Sequence, residues 1–147
     1  MPSSRLTSQG LPTTRAHADV IALLTFLGFH AEPPTTTTTA VSEIHRNLFA
    51  WIYNMDTIMV SFSGRPPLLC RAYTSTPLPL DIAEDELLDK DLMAQALQGL
   101  DEHGWKIEPR LGPHGFTRAR ASLALVREEI FMIALGYGQT VTLDKIL

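Results

Sequence analysis

Residues 42–64 read SEIHRNLFAWIYNMDTIMVSFSG. With Ser42 as N-cap, Ile44, Leu48, Ile52, Met55, Met59 and Phe62 recur at steps of four and three, the spacing of one helix face. Trp51 and Ile58 widen that stripe, and Gly64 stands where a helix-ending residue is wanted. A strand reading fails, because alternation would scatter Asn47, Asp56 and Ser61 over apolar faces. The segment therefore predicts a helix of about five turns, or roughly twenty residues.

Upstream, Val20, Leu23, Leu24 and Leu27 repeat at helical spacing within residues 16–27, and Gly28 follows as a helix end. Residues 1–15, mostly Ser, Thr, Pro and Gln with two arginines, are expected to form a disordered lead-in. Pro33-Pro34 and the threonine run Thr35 to Thr39 predict a loop. Downstream, Pro66, Pro67, Pro77 and Pro79 make residues 65–80 an extended connection lying along the helix surface. Asp81 is expected to cap an acidic helix, with Glu84 closing a capping box, and that helix runs to about Leu100 with a break near Asp89. The glycines and prolines of residues 103–115 predict a further loop. Phe116, Ala119, Leu123, Val126, Ile130 and Ile133 then form a last helical stripe, closed by Gly136, and residues 137–147 form a short tail. The predicted fold class is all-α: four main helices joined by Pro/Gly-rich loops, within one domain over residues 16–136.

Composition bounds the function. The chain has 147 residues, 45% of them hydrophobic and one of them cysteine, with a formal net charge of −4. That length can bury a core without staples, and the lone Cys70 excludes an internal disulfide framework and any cysteine-rich zinc module. The negative charge has the wrong sign for gripping nucleic acid through the whole surface. Thr25, Gly28 and His30 interrupt the best candidate for a membrane span, and residues 1–10 lack the apolar centre of a secretory signal.

Chemistry is sparse. No two of His17, His30, His45, His103 and His114 fall at a metal-binding spacing, so no native zinc site is expected. His45 reads as a helix-surface residue and His30 as one just beyond a helix end. Ser63-Gly64-Arg65 lacks the strand–turn–helix context of a nucleophile elbow, and Asp101-Glu102-His103 reads as a solvated helix end. No phosphate-cradling glycine pattern occurs. No catalytic or cofactor-binding set is expected, and the chain is not read as an enzyme.

Charge is more informative. Residues 81–91 hold six acids against Lys90, whereas residues 110–127 hold four arginines and no acid. An acidic helix facing a basic one is the ordinary explanation. Asp56 lies inside the long helix, where a carboxylate is costly unless paired, and Arg65 just past Gly64 is the expected partner in a turn-pinning ion pair.

These residues also carry a resemblance. EIHRNLFAWIYNMDTIMVSFSGRPPLL, followed by TPLPLDIAEDELL, resembles the middle homology region, the regulatory domain, of fungal-specific binuclear zinc-cluster transcription factors. That family carries a basic residue, an aromatic-rich helix with a tyrosine and an aspartate, and a Gly-Arg-Pro turn. Arg46, Leu48, Phe49, Tyr53, Asp56, Gly64, Arg65 and Pro66 match it, as do Gly28 and His30 in ALLTFLGFH. FTRARASLALVREEIF is similar to a later helix of the same region, so the resemblance spans about residues 18–135. Ala50 stands where a tryptophan is common and Trp51 comes one position late, which is expected to turn the aromatic to another face.

The resemblance implies transcriptional control in the nucleus, with the chain as a partial helical regulatory domain. DNA reading would be supplied elsewhere by a zinc cluster of six cysteines, which this chain cannot build. The implied work is protein packing, dimerisation or effector sensing, with protein partners, self-association or the rest of a regulatory domain, and without direct DNA contact or a membrane. The alternative is a small helical ligand-binding or catalytic protein, with Arg65, His45 and Tyr53 converging on an apolar pocket.

Overall fold

The computed structural model describes residues 5–34, 37–108 and 113–136. It is all-α: among these residues lie α1 (Arg5–Phe26), α2 (Ala40–Ser63), α3 (Glu84–Leu88), α4 (Lys90–Gln98) and α5 (Pro113–Ala134), with a 3-10 turn at Arg71–Tyr73. The only pairing of extended backbone among them is an isolated bridge between Leu100 and Lys106. The predicted tail, residues 137–147, lies outside the described residues.

α1 corrects the expected disordered lead-in, since it begins at Arg5 and carries Pro12 within it. Low apolar content says only that a segment buries little. Once residues 16–26 are helical, extension backwards needs no new nucleus, so each further residue adds a hydrogen bond save the one that Pro12, lacking an N–H, cannot donate. At its other end Gly28 takes φ 79 and the Phe29 N–H returns to the Leu24 carbonyl, the expected left-handed stop.

α2 starts earlier than predicted. Thr39 is the N-cap and Ser42 its reciprocal partner: Ser42 N donates to Thr39 Oγ1 at 3.1 Å and Thr39 N to Ser42 Oγ at 2.8 Å. Gly64, at φ 63, ends the helix as expected. The acidic helix is two helices. Glu86 accepts the Ala83 N–H at the start of α3, and Asp89 caps α4 through Asp91 N and Leu92 N. Asp81 is no cap. It is buried against Gly115, where a Cβ would lie 2.8 Å from its carboxylate, and it accepts the Lys106 N–H at 3.3 Å.

α2 and α5 make the most extensive helix pair, and α1 lies across the other flank of α2. Ala50 of α2 and Ala121 and Ala124 of α5 are all buried, small enough to let two helices approach closely. One core cluster joins Ile21, Leu24, Phe49, Tyr53, Leu69 and Ala124, with Phe29, Ile52 and Leu125 packed on it. A smaller one joins Ile82, Leu87 and Ala96.

The apolar stripes do not coincide with these cores. On α2, Ile44, Leu48, Trp51 and Phe62 are exposed, while Glu43, Arg46, Asn54, Asp56 and Thr57 are buried with Phe49, Tyr53 and Val60. On α5, Phe116, Leu123, Val126, Ile130 and Ile133 are exposed, while Arg118, Ala121, Ala124 and Glu128 are buried. On α1, Val20 and Leu23 are exposed, as is Leu27 just past its end, and Ile21 and Leu24 are buried. The one-position offset of Trp51 has the expected effect: Ala50 takes the inner face and Trp51 is 54% exposed.

Candidate functional site

The residues joining α2 to α3 are rich in proline, so they have few N–H donors and form no backbone ladder. Such donors as remain need acceptors when buried. Three carboxylates supply them. Asp56 accepts Leu68 N and Leu69 N, each at 2.9 Å. Glu128 of α5 accepts Arg71 N at 2.8 Å, and Glu43 accepts Leu80 N at 2.8 Å. Pro66 and Pro67 carry no N–H, so Leu68 and Leu69 hold the first donors after the turn that can reach back to α2.

Each carboxylate has a second partner that fixes another segment. The His17 Nε2 of α1 lies 3.0 Å from Asp56 Oδ1. The Tyr53 hydroxyl donates to Glu128, tying α2 to α5. Arg46 donates to Glu43 and, through Nε at 2.8 Å and a second nitrogen, to both oxygens of Glu32 in the α1–α2 loop. A planar guanidinium is suited to such bidentate work. Glu43, Arg46, Tyr53 and Asp56 share one face of α2 at helical spacing, with the Phe49 and Tyr53 rings stacked 6.0 Å apart among them. This face clamps α1, the α1–α2 loop, the crossover and α5 around α2.

The electrostatics agree. The Glu32 hydrogen bond is the largest influence on Arg46 and, with Glu43, outweighs burial to hold its pKa above the usual arginine value. Burial first, and Glu128 second, push the Tyr53 phenol well above the usual tyrosine range. Cys70 is raised for the same two reasons, in the same order.

The sequence-predicted residues separate into two groups. Arg46, Phe49, Tyr53 and Asp56 come together on the inner face of α2, whereas Gly64, Arg65 and Pro66 lie exposed beyond its end. The expected Asp56–Arg65 ion pair is absent among the described residues. The Gly-Arg-Pro turn brings backbone N–H groups to Asp56, and the His17 ring nitrogen takes the side of that carboxylate where Arg65 was expected. His17, Glu32, Glu43 and Glu128 escaped the sequence reading. A signal existed for the last, because Glu128 falls on the helix face marked by Ala121 and Ala124.

The expected facing of an acidic helix by a basic one also gives way. Arg118 is buried, donates to the carbonyls of Pro79 and His103, and lies over the Trp105 ring at 5.1 Å. Burial lowers its pKa. Arg127 donates to Asn54 Oδ1 at 3.0 Å, Arg120 stacks on Phe116 at 4.1 Å, and Arg110 lies outside the described residues. The acid of α3 that is paired, Glu86, binds Lys106 at 2.8 Å. The backbone of the crossover and its following loop captures the arginine that was to face the acids.

The pocket imagined for the alternative reading is not assembled. The Tyr53 hydroxyl is bound to Glu128, and the His45 ring stacks on Phe29 at 4.2 Å. Arg65 is exposed past the end of α2, about 30 Å along the axis from His45. His45 is thus half-buried on an aromatic, not a free surface residue. Asp101 accepts His103 N and Trp105 N and shapes a solvated turn, and the Trp105 N–H lowers its pKa most. Among the described residues no group of His, Cys, Asp and Glu could hold a metal ion, and no helix is long and apolar enough to cross a membrane.

Buried ion pairs and hydrogen bonds thus hold the helices together beneath outward apolar stripes. The fungal specific transcription factor domain model matches residues 7–135. The chain belongs to the fungal-specific transcription factor domain family. The match begins inside α1, earlier than the motif resemblance reached. No curated protein and no solved structure matches the chain. Family membership makes this domain a transcription-factor regulatory region, and points to regulation, not catalysis.

Proposed function

We propose that this chain acts in the nucleus as a helical regulatory unit of a fungal zinc-cluster transcription factor. It works through protein packing, with DNA binding supplied by a separate zinc-bearing module. The observation that carries this reading is the disposition of α2 and α5. Their polar residues are spent inside on holding the fold, while Leu48, Trp51, Leu123 and Ile130 face outward. Contiguous exposed apolar surface marks a protein contact. The slightly acidic balance suits a domain that leaves DNA to another module.

The test fuses the whole chain to a heterologous sequence-specific DNA-binding module in fungal cells carrying a reporter. A severalfold change in reporter output relative to the module alone, with nuclear accumulation of the tagged chain, is the expected result. A well-expressed fusion that leaves the reporter unchanged would overturn the reading.

A further inference from the structure

Leu92, Ala96 and Gly99 recur at steps of four and three, so α4 and its cap turn one face the same way. That face forms one wall of a cleft of about 490 Å³, with Ile107 and Glu108 opposite. From Leu92 to Gly99 the cleft runs about 10 Å, two helical turns. Its walls are tied together with the space between them open. Ile107 N donates to Gly99 O at 3.0 Å, Leu100 bridges to Lys106, and both Glu86 oxygens hold the Lys106 amine at 2.8 Å. A Cβ on Gly99 would meet only the carbonyls of Ala96 and Gln95, at 3.5 and 3.8 Å, which are ordinary contacts. The chain's own packing therefore does not demand a glycine there, and its bare backbone keeps that end of the cleft open.

Charge says what the cleft accepts. Residues 81–108 hold nine acids and two lysines, a formal charge of −7 in a chain whose total is −4. Of the two cations, Lys106 is held by Glu86, and Lys90 stands two positions before Leu92, turned about 200° to the far side of α4. Arg118 of α5 reaches the same loop, but it is buried and bound to the His103 carbonyl. Arg120 stacks on Phe116 and lines no part of the cleft. Asp91, one turn before Gln95, and Glu108 on the facing wall are exposed and have no ion-pair partner among the described residues. An apolar floor between two unpaired acids selects an apolar stripe with cationic flanks. A length of two turns matches the first and last anchors of one helix face, seven residues apart.

We propose that this cleft binds a basic amphipathic helix of a partner protein. The apolar stripe of that helix packs on Leu92, Ala96 and Ile107, and its lysines or arginines flank Asp91 and Glu108. Because both walls are already fixed, the partner pays the ordering cost and the cleft does not. The site goes beyond the regulatory reading, which rests on α2 and α5, and gives the acidic helices a partner of stated chemistry.

Fluorescence anisotropy of the full chain with three labelled peptides, each about four turns long, tests this. One carries leucines on a single helix face and lysines elsewhere, one has the same composition scrambled, and one replaces every lysine by glutamate. The striped lysine helix is expected to bind at least about tenfold tighter than the scramble, and the glutamate helix not at all. Gly99→Leu fills the cleft and is expected to weaken the striped helix about tenfold while circular dichroism stays unchanged. Ile107→Ser removes an exposed anchor without touching the core and is expected to act in the same direction. Asp91→Lys with Glu108→Lys is expected to weaken binding about tenfold and to flatten its dependence on salt. A scramble that binds as tightly as the striped helix would reduce the effect to bulk charge and overturn the site. So would a glutamate helix that binds equally, or full affinity retained in both Gly99→Leu and Ile107→Ser. A chain that alters the reporter but ignores the striped helix loses only this site. One that binds the helix but leaves the reporter silent loses only the regulatory reading.

Discussion

The two faces of α2 invert the usual assignment of polar and apolar residues. The inner face carries Glu43, Arg46, Tyr53 and Asp56, all at least nine-tenths buried. The outer face carries Ile44, Leu48 and Trp51, each more than two-fifths exposed. The inner arrangement is tolerable because each charge has a partner and each carboxylate also terminates a crossover N–H. The outer arrangement leaves an apolar surface that the proposed protein packing would cover. Stability is therefore concentrated on the polar side of the helix, and the proposed recognition on the apolar side.

The sharpest break of that contrast is Arg46→Ala. It leaves Glu43, fully buried, and Glu32 without their shared cation. An uncompensated buried charge costs about 3–5 kcal/mol, so urea unfolding should lose that much. Trp51→Ser on the outer face should change the monomer's stability by no more than about 0.5 kcal/mol, as exposed sites do. Comparable losses for the two would erase the division of labour.

Asp56→Ala comes next. It strands the N–H groups of Leu68 and Leu69 and removes the partner of His17. A loss of about 2–4 kcal/mol is expected, because buried donors lose their acceptor. Asp56→Asn keeps one acceptor oxygen and should recover part of it. Proteolysis should find the crossover first in Asp56→Ala, since that is the segment released. Equal cutting across the chain would show that Asp56 holds no particular segment.

Tyr53 gives a smaller effect, read through pH. Its phenol is raised above the ordinary value in the folded chain, by burial first and Glu128 second. Unfolded tyrosine ionises near pH ~10, so above that pH the unfolded state sheds a proton that the folded state keeps. Stability from Tyr53 is present below about pH 10 and falls as pH rises beyond it. Tyr53→Phe should cost about 1–2 kcal/mol at neutral pH and flatten the alkaline decline of unfolding free energy. An unchanged alkaline slope would place the phenol outside the Glu128 site.

Much of this was legible beforehand, for identifiable reasons. The existence of α2, the stop at Gly64 and the break at Asp89 follow from periodicity and capping chemistry, which are local. Arg46, Tyr53 and Asp56 are marked as a group by the resemblance to the family motif, not by periodicity, and the fold places them on one face of α2. Which face turns inward was not legible from hydrophobic periodicity. The inward face is chosen by distant backbone donors at Leu68, Arg71 and Leu80, whose acceptors lie on other elements. The same cause hid Glu128, whose donor is 57 positions away in the chain. Arg118 was misread because its partners are backbone carbonyls, which no charge pattern reveals.

Arg65→Ala is the smallest effect and the most discriminating. A charge reading of the sequence assigns Arg65 to Asp56 and expects a buried pair to be lost. The folded chain satisfies Asp56 with His17, Leu68 and Leu69, and leaves the Arg65 side chain in solvent after the left-handed Gly64. Removing an exposed, unpaired side chain changes stability by about 0.5 kcal/mol at most. A double-mutant cycle with Asp56→Ala should give no coupling beyond about 0.5 kcal/mol, because the two sites share no partner. Measured coupling of about 2 kcal/mol would mean that the turn closes onto the inner face, and would move Arg65 from the recognition side of α2 to its stabilising side.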